Sequence, residues 1–369
     1  MKVILLAENL QRKISFLNHV VPSRSQLPIL SNVLLEAEKG KLKISATDLE
    51  LGMVTLVSAN VGEEGAITVP AKIFSDLSLN IKEGKISIET SGTNILLKAP
   101  GVEATLQTMP SEEFPKIYKE KGDIFIKIKK EVLEKEVSRI AFSAAQDGGR
   151  PSLSGVLVRQ DKDGLTMVAT DGYRLSLRRN LAVLSGKDQS SSVLVPAKVF
   201  KELLAIKEDE DDVTVSISKN TNQIIFSQGE TVLVGRLIEA EYPPFEKILP
   251  TSHSTTVSFE RAKLLSAVKI CSVFARDTAN IVKFSIGKNK MVVSANTPSV
   301  GENKADVEAK TEGEENEIAF NARYLLDLLG NIDDEDLVFE MTGPLNPGVF
   351  KIKDNPYFLH LIMPIRVQG

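Results

Sequence analysis

The sequence is poor in the residues that carry most catalytic and redox chemistry. Its 369 residues include one cysteine, three histidines and no tryptophan. A single cysteine, Cys271, forms no intrachain disulfide, and a chain without a disulfide framework fits a reducing, cytoplasmic setting. His19, His253 and His360 lie far apart and share no metal-ligand spacing. No Walker-type phosphate loop is present, and no G-x-G-x-x-G follows a predicted strand. Long apolar runs are missing as well. Nothing approaches the roughly 20 residues of a membrane-spanning helix. The opening MKVILLAENLQRK has too short an apolar stretch for a signal peptide and no small-residue cleavage site after it, so no export signal is expected. An excess of one charge is absent too: 45 Lys and Arg against 49 Asp and Glu leave a net −4, which gives no global attraction to nucleic acid. The acidic runs EDEDD (208–212), EGEENE (312–317) and DDED (333–336) lack the interleaved spacing of an EF-hand and read as solvated turns. No metal, no cofactor and no catalysis are expected.

What the chain does have is repetition. SATDLEL (45–51) and VATDGYRL (168–175) place Thr47 and Thr170 123 positions apart, and 369 is three times that. TVPAKIFSDLSLNI (68–81) and LVPAKVFKELLAIK (194–207) are offset by 126, and a degenerate third copy, IAFNARYLLDLLGNI (318–332), puts Asn321 125 positions after Pro196. Met109-Pro110 near the end of the first unit returns 254 positions later as Met363-Pro364. Words in one order at one long period imply duplicated domains, not a solenoid. The expected limits are 1–120, 126–250 and 253–369.

Each unit opens on an apolar stripe of helical spacing: 7–21 (Leu10, Ile14, Leu17, Val21), 129–145 and 258–275. A second, shorter helix follows the VPAK word, where proline suits a helix start. The remainder alternates with period two between Gly, Asn and acidic turns, which reads as antiparallel strands. The fold class is α+β, with two helices packed on antiparallel sheets in every unit. The six predicted helices hold 13 Lys and Arg against 8 Asp and Glu, a balance of +5, which leaves −9 for the rest of the chain. Two readings fit: helices accept Lys and Arg readily while turns take acid, or the molecule has one cationic and one anionic face.

Three tandem α+β units carrying LPIL, ATDGYRL, VPAK and a terminal MPIR resemble the bacterial DNA polymerase III beta subunit family, the sliding clamps, along the whole chain. The resemblance implies clamp domains closed as a head-to-tail homodimeric ring around duplex DNA, with helices lining the hole. Repeated units would then meet the duplex alike at each rotation, through phosphates that carry no sequence information. The partners implied are duplex DNA, a second copy, the replicative polymerase alpha subunit, the clamp-loader delta subunit and other proteins with a clamp-binding peptide, and no membrane. The matching peptide-pocket positions are Leu153, Thr170, Gly172, Tyr173, Arg174, Leu175, Pro243, Lys247, Ile248, Asn321, Tyr324, Leu345, Met363, Pro364, Ile365 and Arg366. Tyr173 and Arg174 are expected to point outward from a turn at Gly172, with Arg174 and Arg366 at the rim. For DNA the resemblance points to Arg24, Gln146 and Arg150 on loops and Lys72 and Lys198 at helix starts. For the ring joint it points to Ala104 and Leu106 on one side and Ile270 and Cys271 on the other. The alternative is a three-domain peptide-binding scaffold that does not encircle DNA.

Overall fold

The computed structural model describes residues 1–118, 120–186, 191–298 and 301–366. One order of elements is followed three times. The first repeat runs β1 (Lys2–Leu6), α1 (Ala7–Leu17), β2 (Asn32–Glu38), β3 (Lys41–Thr47), β4 (Leu51–Ser58), β5 (Asn60–Glu63), β6 (Gly65–Pro70), α2 (Ala71–Asn80), β7 (Lys85–Ser91), β8 (Asn94–Ala99) and β9 (Val102–Gln107). The second runs β10 (Asp123–Lys129), α3 (Lys130–Ile140), β11 (Gly155–Asp161), β12 (Gly164–Thr170), β13 (Arg174–Leu181), β14 (Ser185–Gly186), β15 (Ser191–Pro196), α4 (Ala197–Ala205), β16 (Asp212–Ser218), β17 (Gln223–Gln228) and β18 (Thr231–Arg236). The third runs β19 (Thr255–Glu260), α5 (Arg261–Ala275), β20 (Ile281–Ile286), β21 (Lys290–Thr297), β22 (Gly301–Gly313), β23 (Asn316–Asn321), α6 (Ala322–Gly330), β24 (Asp336–Met341), β25 (Gly348–Ile352) and β26 (Asn355–Ile362). In this last repeat β22 is one long strand. Its first half pairs with β21, as β4 and β13 pair with their preceding strands, and its second half pairs with β19, as β5 and β14 pair with β1 and β10.

Three predicted helix boundaries shift for local reasons. Helix α1 stops at Leu17 rather than 21, because Pro22 cannot continue a helix and biases Val21 away from helical backbone. Helix α3 stops at Ile140, and Ala141–Ser143 tightens into a 3-10 turn. Helix α5 starts only at Arg261, since Ser258–Glu260 belongs to β19. The apolar spacing itself holds: Leu10, Ile14 and Leu17 of α1 are buried on one face.

The chain folds into two compact units, and the central repeat is divided between them. The first is Met1–Leu133, Val183–Lys187 and Lys198–Leu237; the second is Glu134–Ala182, Asp188–Ala197 and Ile238–Gly369. Inside the first unit, β18 pairs antiparallel with β4 from Thr231↔Thr55 to Gly235↔Leu51, so the sheets of repeats one and two are continuous. Inside the second, β13 pairs antiparallel with β26 from Arg174↔Ile362 to Arg178↔Phe358, and repeats two and three are joined the same way. The third repeat is filled by Phe284, Phe320, Phe339 and Phe350, with ring centroids 4.8 to 6.2 Å apart. Gly348 lets β25 approach them: a Cβ there would meet Phe320 Cζ at 2.5 Å and Phe339 Cε2 at 2.7 Å.

The acidic runs are not all solvated turns. The Glu208 side chain is largely covered and accepts from Lys13 and Thr231. Asp334 pairs with Arg139, which is buried and also bonded to Glu136. These carboxylates neutralise helix cations where one repeat meets the next, so Lys13 and Arg139 drop out of the helical charge excess.

Candidate functional site: a groove beneath the C-terminal segment

The ATDGYRL stretch turns the chain from β12 into β13. Thr170 Oγ1 donates to Arg174 O at 2.6 Å and accepts from Gly172 N at 3.0 Å. Asp171 Oδ1 accepts from the backbone N–H groups of Tyr173 (2.9 Å) and Arg174 (3.0 Å). Such a turn needs left-handed backbone at its second residue, and Gly172 has φ +91°. SATDLEL makes the same turn around Asp48, whose Oδ1 accepts from Glu50 N and Leu51 N. The two turns serve one purpose, because each leaves a carbonyl for the chain leaving the paired strand. Met363 N donates to Tyr173 O at 2.8 Å, and Arg236 N donates to Glu50 O at 2.9 Å.

Beyond Met363 the chain is pinned again, by Ile365 N to Ala319 O at 2.8 Å, which carries it past Asn321 and the start of α6. Asn321 caps α6 by accepting from Arg323 N at 2.9 Å. The floor is a cluster of Val168, Leu175, Leu177, Phe245 and Leu361. Phe245 anchors a 3-10 turn, Phe245–Ile248, that leaves Lys247 and Ile248 exposed on one side. Leu153 approaches Gly172 from below. Tyr173 and Met363 are exposed at the top, and Pro364, Ile365 and Tyr324 are half-buried. Pro243 and Arg366 are exposed, and Leu345 projects from the loop between β24 and β25. Exposed and half-buried apolar side chains thus stand over a buried apolar cluster with a few fixed polar groups among them, the usual build of a peptide-anchor groove.

Two expectations change. Arg174 does not point outward: it is 6 % exposed. Its Nε bonds Asp171 Oδ2 at 3.1 Å, Nη1 bonds Asp327 Oδ2 at 2.6 Å and Nη2 donates to Phe142 O at 3.0 Å. The guanidinium lies over the Tyr324 ring (4.7 Å to the centroid) and the Phe142 ring (5.4 Å). It is therefore a buried brace that fixes Tyr324 and the turn, not a rim charge. Leu175 is fully buried and supplies floor, not contact surface. Asp327 and Phe142, absent from the expected set, complete the brace. Asp327 lies one helical turn beyond Tyr324, a spacing visible in the third copy of the VPAK word.

Beneath the groove, Ser143 Oγ and Ser176 Oγ lie 2.7 Å apart, and Ser176 Oγ lies 2.7 Å from His360 Nδ1. His360 is fully buried on β26, between β13 and β25, with Phe142 stacked on its ring at 5.4 Å. Burial first, and the Arg174 charge second, push its pKa down to about 3. The unfolded chain has an ordinary value near 6.5, so below that pH it takes up a proton that the folded chain refuses. Stability from this residue is complete above pH 6.5 and is lost as pH falls toward 3. Melting curves between pH 6.5 and 5, above the carboxylate range, are expected to slope downward with acid, and a His360→Gln variant to flatten that slope. An unchanged slope in the variant assigns the acid response elsewhere.

The residues expected to meet DNA divide. Arg24, Lys72 and Gln146 are exposed. Lys72 borders a cavity with Asn18, Val21, Pro22 and Asp76. Lys198 is exposed too, but its Nζ pairs with Asp48 Oδ2 at 2.5 Å, so part of its charge is spent. Arg150 Nη2 donates to Asp171 O at 2.8 Å, and its guanidinium covers Gly172. It belongs to the turn of the groove as it stands.

The expected joint residues also divide. Strand β9 is the last strand of the sheet β5-β1-β7-β8-β9. Residues 301–308 of β22 are bonded to β21 alone among the described strands. Ala104 and Leu106 point inward from β9, with Leu106 only 8 % exposed. Cys271 faces β21 and β22, its thiol donating to Val293 O at 3.3 Å and Asn303 Oδ1 at 3.1 Å, and burial raises its pKa. Ile270 beside it is 49 % exposed, and Val273 one turn on is exposed as well. Aligning the first residues of α1, α3 and α5 makes Phe16, Arg139 and Ile270 equivalent. The first two are buried, Arg139 against Asp334 of the next repeat, and the third is open.

Three models of the DNA polymerase III beta subunit match the chain in order: the N-terminal domain over residues 1–118, the central domain over 127–244 and the C-terminal domain over 246–366. The beta sliding clamp of Chlamydia muridarum is 29% identical over 370 residues, covering 100% of both chains. That of Pseudomonas aeruginosa is 29% identical over 362 residues, covering 98% of each. The crystal structure of the DNA polymerase III beta subunit from Thermotoga maritima superposes with a TM-score of 0.92 at 28% identity, covering 100% of both chains. The DNA polymerase sliding clamp of Bacillus subtilis gives 0.94 at 23% identity over the same full coverage, a likeness of fold.

Proposed function

Because the chain belongs to the DNA polymerase III beta subunit family, the beta sliding clamps, we propose that two copies close head to tail into a ring around duplex DNA and hold a polymerase there through the groove beneath the C-terminal segment. It works as a processivity clamp for a DNA polymerase, and no catalysis is assigned to it. The domains are placed at 1–120, 126–250 and 253–369. The replicative polymerase alpha subunit and the clamp-loader delta subunit are the partners assigned to the groove, and such partners place the protein in the cytoplasm.

The observation that carries the reading is an unfinished pattern of strand pairing. The strand equivalent to β4 and β13 in the third repeat is the first half of β22. The strand equivalent to β18 and β26 in the first repeat is β9. Both internal junctions unite a pair of this kind, and one such pair is left over. A strand edge of this sort is a template for another chain. Pairing β9 of one copy with β22 of the next repeats the junction, and a heterologous contact of this kind makes a ring when its rotation closes. The side-chain contact falls to Ile270 and Val273 on α5. Opposite them, by equivalence with Glu202 of α4, which bonds His19 in the turn after α1 at 3.1 Å, lie Asp76 and exposed Leu79 on α2. Ala104, Leu106 and Cys271 back the joint from inside their own sheets and helices.

Grip on DNA comes from scattered exposed cations, Arg24 and Lys72 among them, and reads phosphates only. Binding to a short duplex is expected to be weak, indifferent to sequence and steeply salt-dependent. Arg24→Ala is expected to lower the slope of log K against log salt by about 0.9. Lys198→Ala is expected to change it less, since Asp48 already shares that charge. Anisotropy titrations of a labelled duplex over a potassium chloride series measure both. A slope unchanged by Arg24→Ala removes that residue from the DNA surface.

A further inference from the structure

We propose that a second cavity beside the groove takes one uncharged apolar side chain flanking the partner's anchor and so discriminates among partners. The proposal rests on the groove being the partner site. The cavity, of about 210 Å³, lies between the 249–253 segment and strands β24 to β26. Leu249, Pro250, Met341, Val349 and Leu359 give it apolar walls. The hydroxyl residues Thr251, Ser252 and Thr342 and the carboxylate of Glu340 line the rest, and that carboxylate holds Lys351 Nζ at 2.6 Å and faces His253 Nδ1 at 3.6 Å. A carboxylate already matched to a cation leaves no charge for a ligand to answer, so a charged occupant would give up its hydration without a partner. A leucine- or phenylalanine-sized side chain suits both the walls and the volume.

Continuity with the groove gives the direction. Lys247 and Ile248, on the groove's wall, lead directly into Leu249. Leu249 and Leu359 line the cavity on one side and pack on the other against the cluster of Val168, Leu175, Leu177, Phe245 and Leu361 that floors the groove. One wall of side chains thus separates the two depressions. Ile248 and Leu345 are large, apolar and exposed. Ile248 directly precedes Leu249, and Leu345 lies two residues before Pro347, which also borders the cavity. A peptide leaving the groove over Ile248 covers exposed apolar surface on its way in. Two further residues extend a peptide by about 7 Å.

The test uses the full-length protein and a fluorescein-labelled pentapeptide, Ser-Leu-Leu-Phe-Ser, lengthened at either end by Gly-Leu or by Gly-Asp. Gly-Leu at one end, and one end only, is expected to tighten binding about tenfold, while Gly-Asp gives no gain at either. Thr251→Trp, an exposed position that fills the cavity mouth, is expected to abolish the gain and leave the pentapeptide's Kd unchanged. Equal affinity for the short and lengthened peptides, or a gain that survives Thr251→Trp in the folded protein, overturns the cavity and leaves the groove intact. Failure of the pentapeptide and all its extensions to bind overturns the groove as well.

Discussion

Ile270→Glu is expected to convert the protein from dimer to folded monomer. Ile270 is half exposed in the single chain, so a glutamate there meets water and leaves the fold unharmed. In the joint the same carboxylate is buried without a partner, at a cost of roughly 3 kcal/mol. A head-to-tail ring of two copies has the joint twice, so the dimer loses about 6 kcal/mol, or more than four orders of magnitude in its association constant. Val273→Glu is expected to act alike. Leu106→Glu is expected to behave differently, because Leu106 is buried within its own sheet and a charge there destabilises the chain before any ring forms. Sedimentation velocity with far-ultraviolet circular dichroism separates these outcomes. An Ile270→Glu protein that remains dimeric at micromolar concentration moves the joint away from α5.

The second large effect belongs to the C-terminal segment. Deleting the chain from Met363 onward leaves β26 whole, since that strand ends at Ile362. The deletion frees two backbone acceptors, Tyr173 O and Ala319 O, and removes the apolar surface of Met363, Pro364 and Ile365 from the groove. The brace of Arg174, Asp171, Asp327 and Tyr324 stays in place. The expected result is a folded dimer whose affinity for partner peptides falls at least tenfold, about 1.4 kcal/mol, because central apolar anchors carry more than that. Tyr324→Ala is expected to weaken the same peptides without touching the joint. Unchanged affinity in the truncated dimer places the partner site elsewhere, and a truncated chain that aggregates makes the segment part of the fold.

The threefold plan could be read from sequence because its punctuation is local. A Thr-Asp pair that folds back on its own backbone, and a short polar or proline residue before a helix, keep their chemistry wherever they recur. What escaped depends on partners distant in sequence or on the parity of a strand. Arg174 looks like a surface residue in ATDGYRL, and Asp327, 153 positions on, holds it inward together with Asp171 and Phe142 O. Lys198 looks free until Asp48 is beside it, and Glu208 looks like one of five solvated acids until Lys13 reaches it. Leu106 lies on β9, the strand proposed for the joint, but strand side chains alternate between faces. Which face of β9 looks inward is decided by the rest of its sheet. ATDGYRL and Met363 lie side by side, as the sequence leads one to expect, because β13 pairs with β26. The brace behind the groove is not legible, because Arg174 and Asp171 belong to one word, Tyr324 and Asp327 to another, and Phe142 to neither.

Closure around DNA is the central claim, and retention on a closed circle measures it most directly. Protein loaded by its clamp loader onto a nicked circular duplex is expected to stay bound through gel filtration in salt that abolishes binding to a short duplex. It is expected to be released when a single restriction cut linearises that circle. Equal retention on circle and line means that the protein holds DNA by contact and not by enclosure, which contradicts the ring.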